Sequence, residues 1–193
     1  MKDLEKYQKK LQHYIDKSRY QHTLGVMYTA AALAMAYHYD IKKAMTAGLL
    51  HDCAKSMPHE KKIELCRKHH IEVTDIEQEN PFLLHAKAGA LIAKKKYDIS
   101  DEEILHAIAV HTTGEPAMGT LDMILFIADY IEPGRDKAQN LSKIREMAFQ
   151  NLEHAVEQIL YDTLNYLNGK SGRIDPKTAE TYEYYKNRRE LIV

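Results

Sequence analysis

Apolar positions recur every three or four residues along almost the whole chain, which is the spacing of one face of an α-helix. In the first segment, "LEKYQKKLQHYIDK", such a stripe is formed by Leu4, Tyr7, Leu11, Tyr14 and Ile15. No stretch alternates apolar and polar residues with a period of two, and clusters of β-branched residues are few. The pattern therefore predicts an all-α fold, with about eight to ten helices in a single domain over residues 1–193.

Local signals predict where several of these helices begin and which one is central. Ser100 and Glu103 have the spacing of a capping box for "DEEILHAIAVH". Asp175 and Pro176 are typical of the cap and the first position of the last helix. The long periodic segment 141–169 can hold two helices. The segment "QHTLGVMYTAAALAMAYHY" is apolar on most sides, which predicts a central helix.

Composition and charge exclude several classes of function. The 193 residues are 45% hydrophobic and 28% charged, and the formal net charge of −1 provides no field that attracts nucleic acid or an anionic membrane. The charged N-terminal segment predicts neither a leader nor an anchor, and no apolar run reaches the roughly 18 residues of a membrane span. Cys53 and Cys66 form no CxxC pair and are expected to be reduced thiols in a cytoplasmic protein. The sequence leaves the oligomeric state open, a homodimer included.

Polar residues that interrupt or end apolar helices are the strongest sign of chemistry. Burying a lone imidazole or carboxylate is costly, and such groups are normally paired or bound to a metal. A set of imidazole nitrogens and carboxylate oxygens suits iron, manganese, zinc, cobalt or nickel, whereas the absence of thiolates argues against structural zinc and the number of histidines argues against calcium. The residues in question are His22, His51, Asp52, His85, His111 and Asp129.

The order His…His-Asp…Asp, at His22, His51-Asp52 and Asp129, resembles the HD-domain metal-dependent phosphohydrolases, which have an all-α fold. The flanking segments resemble the bacterial branch that hydrolyses diadenosine tetraphosphate symmetrically, over about residues 19 to 182. These segments are "RYQHTLGV", "GLLHDCAK", "LLHAKAGA", "HTTGEPAMG", "LDMILFIADYIEPGR" and "GRIDPKTAETYEYY". The resemblance implies cleavage of diadenosine tetraphosphate and related dinucleoside polyphosphates to ADP by water activated on one or two divalent ions. Iron is expected first, with manganese, cobalt or nickel as alternatives.

The resemblance also implies roles for individual residues. It implies that His22, His51, Asp52 and Asp129 bind the metal, and that His85 and His111 face the phosphates or hold a second ion. A protonated His85 or His111 would be a proton donor to the leaving ADP. The expected catalytic set is Asp52, Lys55, His85 and His111.

Further residues near these positions are candidates for binding the substrate. Lys55, Arg135 and Arg19 could contact phosphate, and Thr112, Thr113 and Gly114 lie where a helix should end. Arg135 could instead pair with Glu132, and the segment 171–175 could close over the nucleotide because its glycines permit close backbone approach. The expected substrate-binding set is His22, Asp52, Lys55, His85, His111, Thr112, Asp129, Arg135, Gly172, Arg173 and Asp175.

Two other functions remain open on the sequence alone. The first is an HD-type nucleotidase or phosphodiesterase that acts on another nucleotide, since the ligand set does not select the substrate. The second is a non-catalytic module that binds nucleotide or stores metal. The intact ligand set argues against this second function, because a protein that has lost its activity has usually lost a ligand as well.

Overall fold

The computed structural model describes residues 2–170 and 173–192, and it places no β-strand among them. The all-α class is therefore confirmed, with eleven helices in this part of the chain. They are α1 (Lys2–Leu11), α2 (Lys17–Ala36), α3 (Ile41–Leu50), α4 (His59–Lys68), α5 (Asp75–Glu79), α6 (His85–Lys96), α7 (Glu102–Val110), α8 (Thr120–Ile131), α9 (Leu141–Ala148), α10 (Leu152–Asn168) and α11 (Pro176–Ile192). The single domain over residues 1–193 stays a prediction.

The centre of the fold is α8 rather than α2. Helix α8 packs against α2, α3, α7, α9 and α10, and most of its twelve residues are buried. Helix α2 buries one face, whereas Tyr28 and Met35 on its other face are 61% and 58% exposed. The prediction of a central α2 is wrong because alanine and methionine make a helix look apolar all round without requiring that every side be covered.

A close approach of α2 and α3 brings three metal-capable residues together. Gly48 lies in α3, and a Cβ atom at this residue would be only 2.8 Å from the Cα atom of Met27 in α2. Only glycine permits this backbone contact. The contact holds the end of α3, which His51 and Asp52 follow directly, beside the helix that carries His22.

The helix ends confirm some local predictions and correct others. Segment 141–169 contains the separate helices α9 and α10, and Asp175 accepts the backbone N–H of Lys177 at 2.9 Å in the first turn of α11. The cap of α7 is Asp101 instead of Ser100, because the Asp101 carboxylate accepts the N–H groups of Glu103 and Ile104. Helix α5 was not predicted, since its five residues are too few to display a period.

Helix ends also determine where the candidate site lies. His51 and His111 directly follow α3 and α7, His85 is the first residue of α6, and Asp129 lies in the last turn of α8. Helices with distant sequence positions therefore converge on one region at their ends. Within the described residues, no helix is both long enough and apolar enough to cross a bilayer.

Candidate metal centre

Three buried imidazoles share one orientation. The Nδ1 atoms of His51, His85 and His111 lie 2.7, 2.6 and 2.7 Å from backbone carbonyl oxygens. A carbonyl only accepts, so each Nδ1 carries a hydrogen, and the Nε2 atom of each ring presents its lone pair whenever that ring is neutral. The acceptors, each three residues earlier in the chain, are Gly48, Phe82 and Ile108.

The fourth imidazole, His22, is oriented by a buried carboxylate. Its Nδ1 atom lies 3.0 Å from Oε1 of Glu132, which is only 4% exposed and also accepts the backbone N–H of Gly134 at 2.6 Å. A Cβ atom at Gly25 would lie 2.4 Å from Oε2 of Glu132, so this glycine leaves room for the carboxylate. The sequence suggests Glu132 only as a partner of Arg135. The glycine inside α2, three residues after His22, is the one sign in the sequence that a close neighbour lies there.

Asp52 lies at the centre of the cluster and is 2% exposed. Its Oδ2 atom is 2.8 Å from a guanidinium nitrogen of Arg19 and 3.5 Å from Nε2 of His51. On its other side, Oδ1 lies 3.5 Å from Nζ of Lys55, 3.3 Å from Nε2 of His85 and 3.7 Å from Nε2 of His111. The two oxygens of one carboxylate therefore face two different halves of the site.

Asp129 completes the half that contains His22. Its Oδ1 atom is 2.9 Å from Nε2 of His22 and 3.8 Å from Nε2 of His51. Arg135 donates to the same oxygen at 2.8 Å and, through Nε, to the Asp129 carbonyl at 3.0 Å. The alternative ion pair of Arg135 with Glu132 is wrong, because the Glu132 carboxylate is held by His22 and Gly134.

Electrostatics keep the two carboxyl groups ionised. Burial opposes ionisation of Asp52, but His51, His111 and Lys55 outweigh it and hold the pKa of Asp52 well below its usual range. Burial likewise opposes ionisation of Asp129, yet His22 and neighbouring cations lower its pKa. Both groups are therefore available as anionic ligands at neutral pH.

His85 is a poor proton donor in this arrangement. Burial, together with the positive charges that His111 and Lys55 can carry, holds the pKa of His85 well below its usual value. Burial also lowers the pKa of Lys55, although Asp52 and Asp129 oppose this effect. The expectation that a protonated His85 gives a proton to the leaving group is therefore not favoured by the contacts around it.

Unpartnered acceptors test whether the site fits a metal ion. The Nε2 atoms of His22 and His51 and the Oδ1 atom of Asp52 are buried without a hydrogen-bond partner among the described residues. The lone pair of His22 Nε2 also lies 2.9 Å from an oxygen of Asp129, an arrangement that repels unless a cation or a proton lies between them. Over residues 2–170 and 173–192, sets of three nitrogen and oxygen donors within 4.8 Å of one another occur in two groups, which are His22, His51 and Asp129, and His51, Asp52 and His111. This donor set fits a divalent metal.

Polar groups of Lys55 and Thr112 contact His85 beside the centre. Nζ of Lys55 lies 2.9 Å from Nε2 of His85 and 4.3 Å from the ring centroid of Phe82. The Thr112 hydroxyl is 3.2 Å from the same nitrogen, whereas the Thr113 hydroxyl donates to the carbonyl of Gly114. The structure therefore brings Lys55 and Thr112 to the cluster and turns Thr113 away from it.

Lys62 is a buried cation that sequence reasoning missed. It is 1% exposed, and burial and the charge of Lys55 lower its pKa while Asp52 opposes the change. Its place in a strongly charged helix gave no sign of burial.

The predicted segment after α10 is only partly described. The side chain of Arg173 is 66% exposed and its guanidinium pairs with Glu79 at 3.0 Å rather than with a metal-capable residue. Asp175 lines a cleft of about 250 Å³ together with Thr112 and Thr113. Gly172, like Ser171, lies outside the described residues.

Comparisons with known proteins agree with this geometry. Residues 19–134 match the HD domain family. The chain is 40% identical to the symmetrical bis(5'-nucleosyl)-tetraphosphatase of Halalkalibacterium halodurans, over 88% of this chain and 89% of that protein. It is 34% identical to the protein of the same name from Staphylococcus aureus, over 98% of both chains.

A solved structure gives the same answer for the fold. The crystal structure of a predicted HD superfamily hydrolase involved in NAD metabolism, from Clostridium acetobutylicum, superimposes with a TM-score of 0.92. It is 41% identical, and the match covers 95% of this chain and 97% of that chain. The helical fold, the converging histidines and aspartates, and these relatives together show that the chain belongs to the HD domain family, in the branch whose members include the symmetrical bis(5'-nucleosyl)-tetraphosphatases.

Proposed function

We propose that the protein hydrolyses diadenosine tetraphosphate and related dinucleoside polyphosphates at the central anhydride, with two molecules of ADP as products. One observation carries the proposal: buried acceptors of His22, His51 and Asp52 converge without a hydrogen-bond partner in the described part of the chain, and near-full-length relatives are named for this reaction. Cleavage joins the oxygen of water to one inner phosphorus, and the bridging oxygen leaves with the other ADP.

The proposed ligands of the divalent metal are His22, His51, Asp52 and Asp129, whose donor atoms face one another. A divalent cation held there supplies Lewis acidity, which lowers the pKa of water and stabilises negative charge on phosphoryl oxygens. We propose iron as the resident ion, because imidazole and carboxylate donors without thiolate suit it, with manganese, cobalt or nickel as possible substitutes.

A single ion agrees best with the contacts of His85. Its Nε2 atom receives the ammonium of Lys55 at 2.9 Å, and Lys55 also lies 3.5 Å from Asp52. A second divalent ion between His85 and His111 would bring more positive charge against this ammonium, which is unfavourable in a buried site. We therefore propose that His85 and His111 face the phosphates, and that the other expected arrangement, a second ion, is absent.

The remaining polar groups have roles in holding the polyphosphate. Lys55 and Arg135 are proposed to neutralise charge that grows on the phosphoryl oxygens, since each lies next to a carboxylate that faces the centre. Arg19 donates a hydrogen bond to Asp52 and so fixes the position of that carboxylate. The other N–H groups of its guanidinium can donate to a phosphate. The hydroxyl of Thr112 can donate to an oxygen of the departing ADP.

Segment 172–175 is proposed to bind the nucleoside beyond Thr112. Asp175 already lines the adjoining cleft. Arg173 would have to break its exposed ion pair with Glu79 before it could bind a phosphate. Such an exchange costs little, because exposed ion pairs contribute about 0–1 kcal/mol. Gly172 belongs to this proposal by its place in the sequence alone.

The products test the proposed function. Protein loaded with iron or manganese is incubated with diadenosine tetraphosphate, and the nucleotides are separated by anion-exchange chromatography. ADP as the only product supports the proposal, whereas ATP with AMP overturns symmetrical cleavage. Turnover of mononucleotides or cyclic nucleotides alone favours the nucleotidase or phosphodiesterase alternative, and tight ADP binding without hydrolysis favours a binding module.

Matched variants connect such turnover to the site. Asp52→Asn removes a central ligand charge while its shape remains, and it should abolish the reaction. His13→Asn, at an exposed residue after α1, is the control and should keep wild-type turnover.

We further propose that the protein works in the cytoplasm, because both cysteines are unpaired and buried. The small net charge supports a small-molecule substrate in preference to nucleic acid or a membrane surface. Size-exclusion chromatography with light scattering would distinguish a monomer from a homodimer.

A further inference from the structure

A dinucleoside polyphosphate cut at its centre has two nucleosides that extend in opposite directions from the reacting phosphates. Such a substrate needs two nucleoside sites, one on each side of the metal centre. Asp52 defines the two sides, because its Oδ1 atom faces His85 and its Oδ2 atom faces Arg19 and His51. The cleft that contains Thr112 and Asp175 adjoins the His85 side only.

A larger cleft adjoins the other side, and we call it the α2 cleft. Its volume is about 900 Å³, compared with about 250 Å³ for the cleft at Thr112. His22 and Glu132 are among its lining residues, so the cleft lies against one of the metal-capable side chains and the carboxylate that orients it. The other lining residues are Lys17, Ser18, Gln21, Leu24, Gly25, Tyr28, Pro133 and Gly134.

The lining of the α2 cleft suits a nucleoside. Tyr28 is 61% exposed, so its ring offers a free face for stacking beside the apolar surfaces of Leu24 and Pro133. Tyr28 follows His22 by six residues in α2, which is about 9 Å along a helix at 1.5 Å per residue. An extended nucleoside diphosphate can cover this distance between its terminal phosphate and its base. Gly25, which lies between the two residues in α2, also lines the cleft.

Polar groups of the cleft suit the ribose and the phosphates. Gln21 and Ser18 offer an amide and a hydroxyl that can donate or accept hydrogen bonds. Lys17 adds a positive charge at the N-terminal end of α2. The cleft thus combines an exposed aromatic ring with hydrogen-bonding groups and one cation next to the proposed metal site.

We infer that the α2 cleft binds the second nucleoside of the substrate, with its base stacked on Tyr28, so that two identical ends of one substrate occupy two unlike sites. This inference rests on the proposed function, from which it takes the identity of the ligand. Tyr28 acts as a binding residue and leaves the chemistry at the metal unchanged.

Paired substrates test the inference through kinetics. Tyr28→Ala is compared with wild type on diadenosine tetraphosphate and on adenosine 5'-tetraphosphate, which lacks the second nucleoside. Loss of one stacked base should raise KM for the dinucleotide by about 5- to 100-fold, with less than a twofold change for the mononucleoside compound. Tyr28→Phe should recover most of the lost affinity, and Tyr166→Ala, at an equally exposed tyrosine of α10, is the control.

A binding measurement separates this inference from the proposed function. The affinity of the non-hydrolysable β,β'-methylene analogue of diadenosine tetraphosphate is measured by calorimetry for wild type and Tyr28→Ala. Weaker binding by the variant supports the α2 cleft even if wild type hydrolyses no dinucleotide, which would overturn only the proposed function. Equal affinities, or equal rises in KM for both substrates, overturn the inference.

Discussion

The substitution Gly25→Ala has two opposite effects, because it improves the helix propensity of α2 but disturbs the carboxylate that orients His22. In the interior of α2, alanine should stabilise the protein by about 0.8–1.0 kcal/mol relative to glycine. The added Cβ atom, however, would lie 2.4 Å from Oε2 and 3.1 Å from Cδ of Glu132. The carboxylate must therefore move, although it is held by His22 at 3.0 Å and by the backbone N–H of Gly134 at 2.6 Å.

The magnitude follows from the two hydrogen bonds that the movement breaks. Each bond to a charged group contributes about 1.5–3 kcal/mol. Loss of both, less the gain in propensity, gives a net decrease of about 2–5 kcal/mol in the free energy of unfolding. The ring of His22 also loses the partner that fixes its Nδ1 hydrogen. Loss of such an outer partner typically lowers metal affinity about 10- to 100-fold.

Two measurements and a double mutant decide between the effects. Urea denaturation of the metal-free protein gives the free energy of unfolding, and titration against a chromogenic chelator gives the affinity for Mn²⁺. In a Glu132→Ala background the obstructing carboxylate is gone, so Gly25→Ala should there stabilise by about 1 kcal/mol. An increase in stability in the wild-type background, with unchanged metal affinity, would show that the Glu132 carboxylate does not hold His22 in place.

Three further substitutions and reactions test other parts of the site. Asp52→Asn should reduce bound metal to a small fraction of wild type while far-UV circular dichroism stays unchanged; normal occupancy by elemental analysis would contradict its place at the centre. Arg135→Ala should raise KM and also weaken Mn²⁺ binding several-fold, because Arg135 donates to Asp129 at 2.8 Å. A change in KM without a change in Mn²⁺ affinity would mean that Arg135 binds only the substrate. Burial and the neighbouring Asp52 raise the pKa of the Cys53 thiol to about 12. Cys53 should therefore react with a thiol reagent at pH 8 only after unfolding. Rapid labelling of Cys53 in the native protein would show that the site opens.

Local patterns in the sequence were sufficient for the helical class and for the positions of the converging residues. Periods of three and four identify helices because each amphipathic helix must bury its own stripe. His51 and His111 stand out because each directly follows an apolar run that must be buried. Helix α5 escaped the same reasoning, since a five-residue helix with a Thr74–Glu77 capping box has no room for a period.

Contacts between distant segments could not be predicted in this way. Glu132 lies 110 residues from His22, and only the packing of α8 beside α2 brings the two together. The hydrogen bonds that orient His51, His85 and His111 depend on backbone carbonyls, which have no sequence signature. The burial of Lys62 is likewise a property of tertiary packing rather than of its charged neighbours.

Anomalous diffraction from crystals grown with Mn²⁺ locates the metal among the converging histidines and aspartates. We expect one strong peak within coordination distance of Nε2 of His22 and His51 and of carboxylate oxygens of Asp52 and Asp129, with Lys55 still hydrogen-bonded to His85. A peak held by His85 and His111 instead, or no peak at the cluster at saturating Mn²⁺, would overturn the proposed metal site.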